Sequence, residues 1–69
     1  MTSEEAREAV WALIERHAGR AEELAALVNT LQDRHSYMAG SNGQGTRLWR
    51  TDWRAVLRDL EEHVKARAN

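Results

Sequence analysis

The chain predicts an all-α fold: a long N-terminal helix, a glycine-rich loop and a shorter antiparallel C-terminal helix, a helical hairpin completed as a homodimeric bundle. Three observations predict it. Val10, Ile14, His17, Ala21, Leu24, Val28, Leu31 and His35 recur at alternating spacings of four and three, which aligns them along one side of a helix. Trp53, Val56, Leu57, Leu60 and Val64 form a second face of the same period. Between the two, Gly40, Gly43 and Gly45 interrupt both patterns, and glycine clusters of this kind mark turns.

The first helix is expected over about residues 3–35. Thr2 and Glu5 have the spacing of a capping box, in which the hydroxyl accepts from an orphan amide of the first turn and the carboxylate reaches back to the cap. Gly19 costs about 1 kcal/mol relative to alanine inside a helix. No Ser, Thr, Asp or Asn follows it at once to cap a new helix, so one continuous helix is expected, straight or kinked at Gly19. At ~1.5 Å per residue that helix is about 50 Å long, twice the ~24 Å of the second. Part of the stripe is thereby left without intrachain cover, and 69 residues are few for a self-sufficient core.

A second copy of the chain is the expected cover, most simply as a dimer. Val10, Trp11, Ile14, His17, Ala18, Ala21, Leu24, Ala25 and Val28 are the expected oligomer interface. Gly19 and the neighbouring alanines would let another backbone approach closely.

The loop is expected over about 39–45, with Asn42-Gly43 suited to a turn. One variant stays open: Tyr37-Met38 and Leu48-Trp49 pair across it as a small β-hairpin. The second helix is expected over about 52–67, starting at Thr51-Asp52. No linker divides the chain, which reads as a single domain.

Cysteine is absent, which excludes disulfides and thiolate metal sites. Charged residues make up 30% of the chain and the net charge is −1, so no global field draws it to nucleic acid or membrane. The charge is nonetheless bipolar: residues 1–33 carry seven acids and three bases, whereas residues 34–58 carry five arginines and one aspartate. No apolar run is long enough to span a bilayer, and the acidic start lacks the basic and apolar regions of a secretory signal. The expected location is cytoplasmic.

Catalysis finds no support. There is no cysteine nucleophile, and Ser3, Ser36 and Ser41 fall in caps or turns. No His-x-x-x-His or Glu-x-x-His spacing suggests a metal. The expectation is a chain without enzymatic activity, cofactor or metal. Arg47, Arg50, Arg54 and Arg58 lie three, four and four apart, with Tyr37 and Trp49 nearby. If helical, the arginines line one side, and Arg with aromatic residues is the composition of interface hot spots. These six residues are the candidate contact surface.

The expected function is stoichiometric: a regulator, inhibitor or adaptor that binds another protein. One alternative is an oligomer that holds a nucleotide or phosphate at the arginine-rich loop end. A further alternative, a DNA-binding dimer, is disfavoured on two grounds. Helix-turn-helix units use turns of about 3–4 residues, shorter than this loop, and the acidic first helix repels phosphate.

Overall fold

The computed structural model describes residues 1–41 and 43–67. It contains three helices and a two-stranded antiparallel sheet: α1 (Ser3–Arg16), a 3-10 turn (Ala18–Arg20), α2 (Ala21–Arg34), β1 (Ser36–Ser41), β2 (Arg47–Thr51) and α3 (Trp53–Arg67). The fold is mostly helical, but it is neither all-α nor a helical hairpin. Two expectations are corrected by it, the single helix over 3–35 and the purely helical hairpin closed by a loop over 39–45; the small β-hairpin kept open as a variant is the arrangement that forms.

The first correction lies at His17. There α1 ends, with the His17 N–H donating to the Ile14 carbonyl at 3.0 Å and the Arg20 N–H donating to the His17 carbonyl at 2.8 Å. These three-residue bonds occupy backbone groups that a helix break would otherwise orphan. Arg20 adds a 2.8 Å ion pair to Glu23 in the first turn of α2. No side-chain cap is needed, and its absence from the sequence therefore did not mean a continuous helix.

The break is favoured by the core it creates. The starts of α1 and α3 meet where Ser3 and Trp53 line one cleft. The end of α2 meets the start of α3 through the Asp52 N–H and the His35 carbonyl, at 2.9 Å. Glu23, early in α2, faces His63, late in α3, at 3.4 Å. The chain thus runs up α1, back down α2 and up α3. Its three helices have 14, 14 and 15 residues, so at ~1.5 Å per residue all are about 21–23 Å long and none overhangs the others.

Ala6, Val10, Leu13 and Ile14 of α1, Leu24, Val28 and Leu31 of α2, and Val56, Leu57, Leu60 and Val64 of α3 converge in one buried cluster. Leu24, Val28 and Leu60 are fully buried. Folding back shelters Leu24, Val28 and Leu31, each worth about 1.5–3 kcal/mol on burial. That gain exceeds the cost of bending the chain at a glycine. The stripe is therefore covered by its own chain, and the overhang that motivated a dimeric completion is gone.

Both outer helices have specified starts. The Glu5 N–H donates to Thr2 Oγ1 at 3.2 Å and the Thr2 N–H donates to Glu5 Oε1 at 2.9 Å. Those bonds hold the Glu5 carboxyl below its ordinary pKa, chiefly through the Thr2 amide. At α3 the Ala55 N–H donates to Asp52 Oδ1 at 3.3 Å, making Asp52 the cap. The Arg7 guanidinium sits 5.7 Å from the Trp53 ring centroid, joining α1 to α3.

The molecule measures 48 × 22 × 17 Å. Its long axis is close to one helix, ~22 Å, plus a six-residue strand at ~3.3 Å per residue. The sheet accordingly projects from one end of the helical body instead of lying on it. Among the described residues, no helix is long and apolar enough to cross a membrane.

Candidate functional site

The projecting hairpin gathers the side chains that the helical core does not use. Its registers are Ser36 with Thr51, Tyr37 with Arg50, Met38 with Trp49, Gly40 with Leu48 and Ser41 with Arg47. Between Met38 and Gly40 the register slips, placing a bulge at Ala39. Gly40 has φ +131° and Gly45 has φ +83°, conformations that side-chain-bearing residues rarely adopt. A Cβ at Gly40 would meet no heavy atom within 4 Å, so backbone conformation and not space requires glycine there. The expected Asn42-Gly43 turn rests partly on Asn42, which lies outside the described residues.

The base of the hairpin is bound to the body at three points. The Asp52 N–H reaches the His35 carbonyl, Ser36 Oγ donates to the Asp33 carbonyl at 2.9 Å, and His35 Nε2 lies 2.7 Å from Asp59 Oδ2. A carboxylate only accepts, so the ring proton is on Nε2 and His35 is the donor. This bond is the main reason the Asp59 carboxyl is held below its ordinary pKa. It links the last turn of α2 to the middle of α3 where the strands depart.

Above that base the surface is apolar and exposed. Tyr37 is 49% exposed, Met38 54%, Leu48 45% and Trp49 62%. Alternation along a strand puts cross-strand partners on one face. Met38 and Trp49 therefore share a face with Arg47, while Tyr37 and Arg50 share the opposite face with Leu48. Each face combines an aromatic ring, an aliphatic side chain and an arginine. Met38 and Leu48 were not among the candidate residues; their signal was their position beside Tyr37 and Trp49 in short runs flanking the glycines.

The four arginines do not form one row. Arg47 and Arg50 lie on opposite faces of β2, whereas Arg54 and Arg58 line a groove between α1 and α3 floored by Leu13, Leu57 and Val64. Glu61 and Glu62 line the same groove, and Arg58 approaches Asp59 at 3.5 Å. Acids beside these arginines offset the positive field an anion would need. Arg50 instead borders a cleft of about 310 Å³ at the hairpin base, with Ser3, Tyr37, Thr51 and Trp53. Among the described residues the four arginines therefore do not line one common cleft.

The residues expected at an oligomer interface divide by exposure. Val10, Ile14, Leu24 and Val28 are buried within the chain, His17, Ala21 and Ala25 are partly buried, and Trp11 and Ala18 are exposed. A Cβ at Gly19 would meet nothing within 4 Å, so no backbone approaches there. Among the described residues no group of three or more His, Cys, Asp or Glu side chains is placed to hold a metal ion.

No family model, no curated protein and no solved structure matches the chain.

Proposed function

We propose that the chain is a stoichiometric protein-binding module, a regulator, inhibitor or adaptor, and that the hairpin is its contact surface. The observation that carries the reading is the clustering of Tyr37, Met38, Leu48 and Trp49 at 45–62% exposure on a projecting strand pair. Scattered exposed apolar residues are ordinary, but here both faces of one projecting hairpin carry an exposed aromatic ring, an apolar side chain and an arginine, the composition of an interface. The helical core closes without these side chains, so folding alone gives no reason to keep them.

Duplex DNA is a second reading with one observation in its favour. The four-residue corner between α1 and α2 has the length of a helix-turn-helix turn, which removes the objection from loop length. Charge opposes it: α2 exposes Glu22, Glu23 and Asp33, acids that a phosphate backbone repels. Protein binding is the better supported of the two.

The test immobilises the wild-type chain and a Met38→Ser/Trp49→Ser variant and exposes both to lysate of the source cells. A partner retained by the wild type in a fixed molar ratio on titration, and lost by a variant with unchanged helical circular dichroism, supports the proposal. Equal retention by both chains, or retention without saturation, overturns it.

A further inference from the structure

Resting on that protein-binding reading, we infer that the outer edge of β2 receives an extended segment of the partner as a third strand, and that the segment reads acidic, apolar, apolar, acidic. The sheet has two strands, so each has an outer edge, and the two edges differ. The slip between Met38 and Gly40 breaks the pairing pattern of β1, and bulges of this kind discourage a further strand. The β2 strand, Arg47–Thr51, is continuous. Among the described residues, its only backbone partner is β1. An open, regular edge is a template for strand addition, with backbone bonds supplying affinity and alternate side chains supplying selectivity.

The side chains on β2 define the complement. Arg47 and Trp49 point to one face and Leu48 and Arg50 to the other, so a paired strand presents an acid beside Arg47, apolar residues beside Leu48 and Trp49, and an acid beside Arg50. The pattern is a palindrome. It specifies the segment's chemistry equally for a parallel or an antiparallel partner.

Charge selects the occupant. Residues 36–51 contain no Asp or Glu, and among the described residues neither Arg47 nor Arg50 has an ion pair. A second copy of the hairpin offers no acid to either arginine in any register, and in the antiparallel register that sets Leu48 against Trp49 it opposes arginine to arginine, which is destabilising for directly opposed like charges. The occupant is therefore an acidic strand of another protein and not the hairpin of a second copy.

The probe is a fluorescein-labelled twelve-residue peptide with a central Glu-Val-Val-Glu flanked by Ser and Thr. Controls are Lys-Val-Val-Lys and Glu-Glu-Val-Val versions and a peptide N-methylated through the centre. Fluorescence anisotropy should rank Glu-Val-Val-Glu first by roughly tenfold over Lys-Val-Val-Lys, from two cross-strand charge pairs. N-methylation should abolish binding because it removes strand donors while the protein stays unaltered. Arg47→Glu with Arg50→Glu should reverse the charge preference, and amide chemical-shift changes should concentrate on residues 47–51.

Equal binding of all peptides, shifts centred on β1 or the helices, tolerance of N-methylation, or displacement of the peptide by duplex DNA would each overturn the inference. Absence of peptide binding alongside Trp49-dependent capture of a partner would refute strand addition alone. Absence of both would remove the binding module as well.

Discussion

Replacing Leu24 with alanine tests whether the stripe is sheltered by its own chain or by another copy. Leu24 is fully buried among α1 and α3 residues, so truncation removes apolar contact and leaves a cavity, at a cost of about 2–5 kcal/mol. At about 0.05–0.15 kcal/mol per residue the whole domain holds roughly 3–10 kcal/mol, toward the lower end for a small core. One truncation therefore takes a large share of it. In urea at a slope of ~1 kcal/mol/M, the midpoint should fall by about 2 M or more, with some variant already unfolded in water. The assay is urea denaturation followed by helical circular dichroism at protein concentrations a hundredfold apart. Both midpoints should be independent of concentration, because unfolding of an intrachain core is unimolecular. A cost below ~1 kcal/mol, or a wild-type midpoint that climbs with concentration, would refute the intrachain core and return the stripe to an interface between chains.

Three further outcomes follow from the same geometry. Gly19→Ala should stabilise the chain by about 0.4–1 kcal/mol, since its site is open, its φ is not positive and the unfolded chain loses freedom; sedimentation should show no change of species, and a straightened, associated form would contradict the corner. Trp49→Ala should leave the urea midpoint within about 0.5 kcal/mol of wild type, because the ring is 62% exposed and outside the core. Asp59→Asn should lower the thermal midpoint at pH 5 by loosening the hairpin base. Asp59 has a folded pKa below its unfolded one, so its link is fully present above the ordinary carboxylate range and is lost as pH falls through the lowered value; the gap between variant and wild type should narrow only below the ordinary carboxylate range. A gap that persists at pH 2 would show that the aspartate acts through something other than its charge.

Helix existence and facing were legible in the chain because they depend on local period. The 4-3 spacing of Val10, Ile14, Leu24, Val28 and Leu31 marks the buried side whether the helix is straight or folded at His17. That spacing is blind to the corner, since both forms keep the same residues on the same side. A usable signal was length: cutting at Gly19 yields two segments that match the third helix. The candidate site was legible in composition and not in arrangement. Tyr37, Trp49, Arg47 and Arg50 do gather at one end, but the helical spacing that put the arginines in a row does not apply to a strand, where alternation sends Arg47 and Arg50 to opposite faces.

By itself the sequence determined what can be written locally: the Thr2–Glu5 cap, the apolar faces, the Asp52 start of α3 and the glycine-rich reversal. The tertiary structure alone decided where the first stripe folds back, that short runs beside the glycines pair as strands, and that His35 meets Asp59. The physical reason is that each of these turns on a competition between burial and backbone bonding over residues distant in the chain. Local propensity near Gly19 differs by only about 1 kcal/mol, whereas sheltering three α2 side chains is worth several times that, and only the packing of the three helices against one another realises the gain from burial.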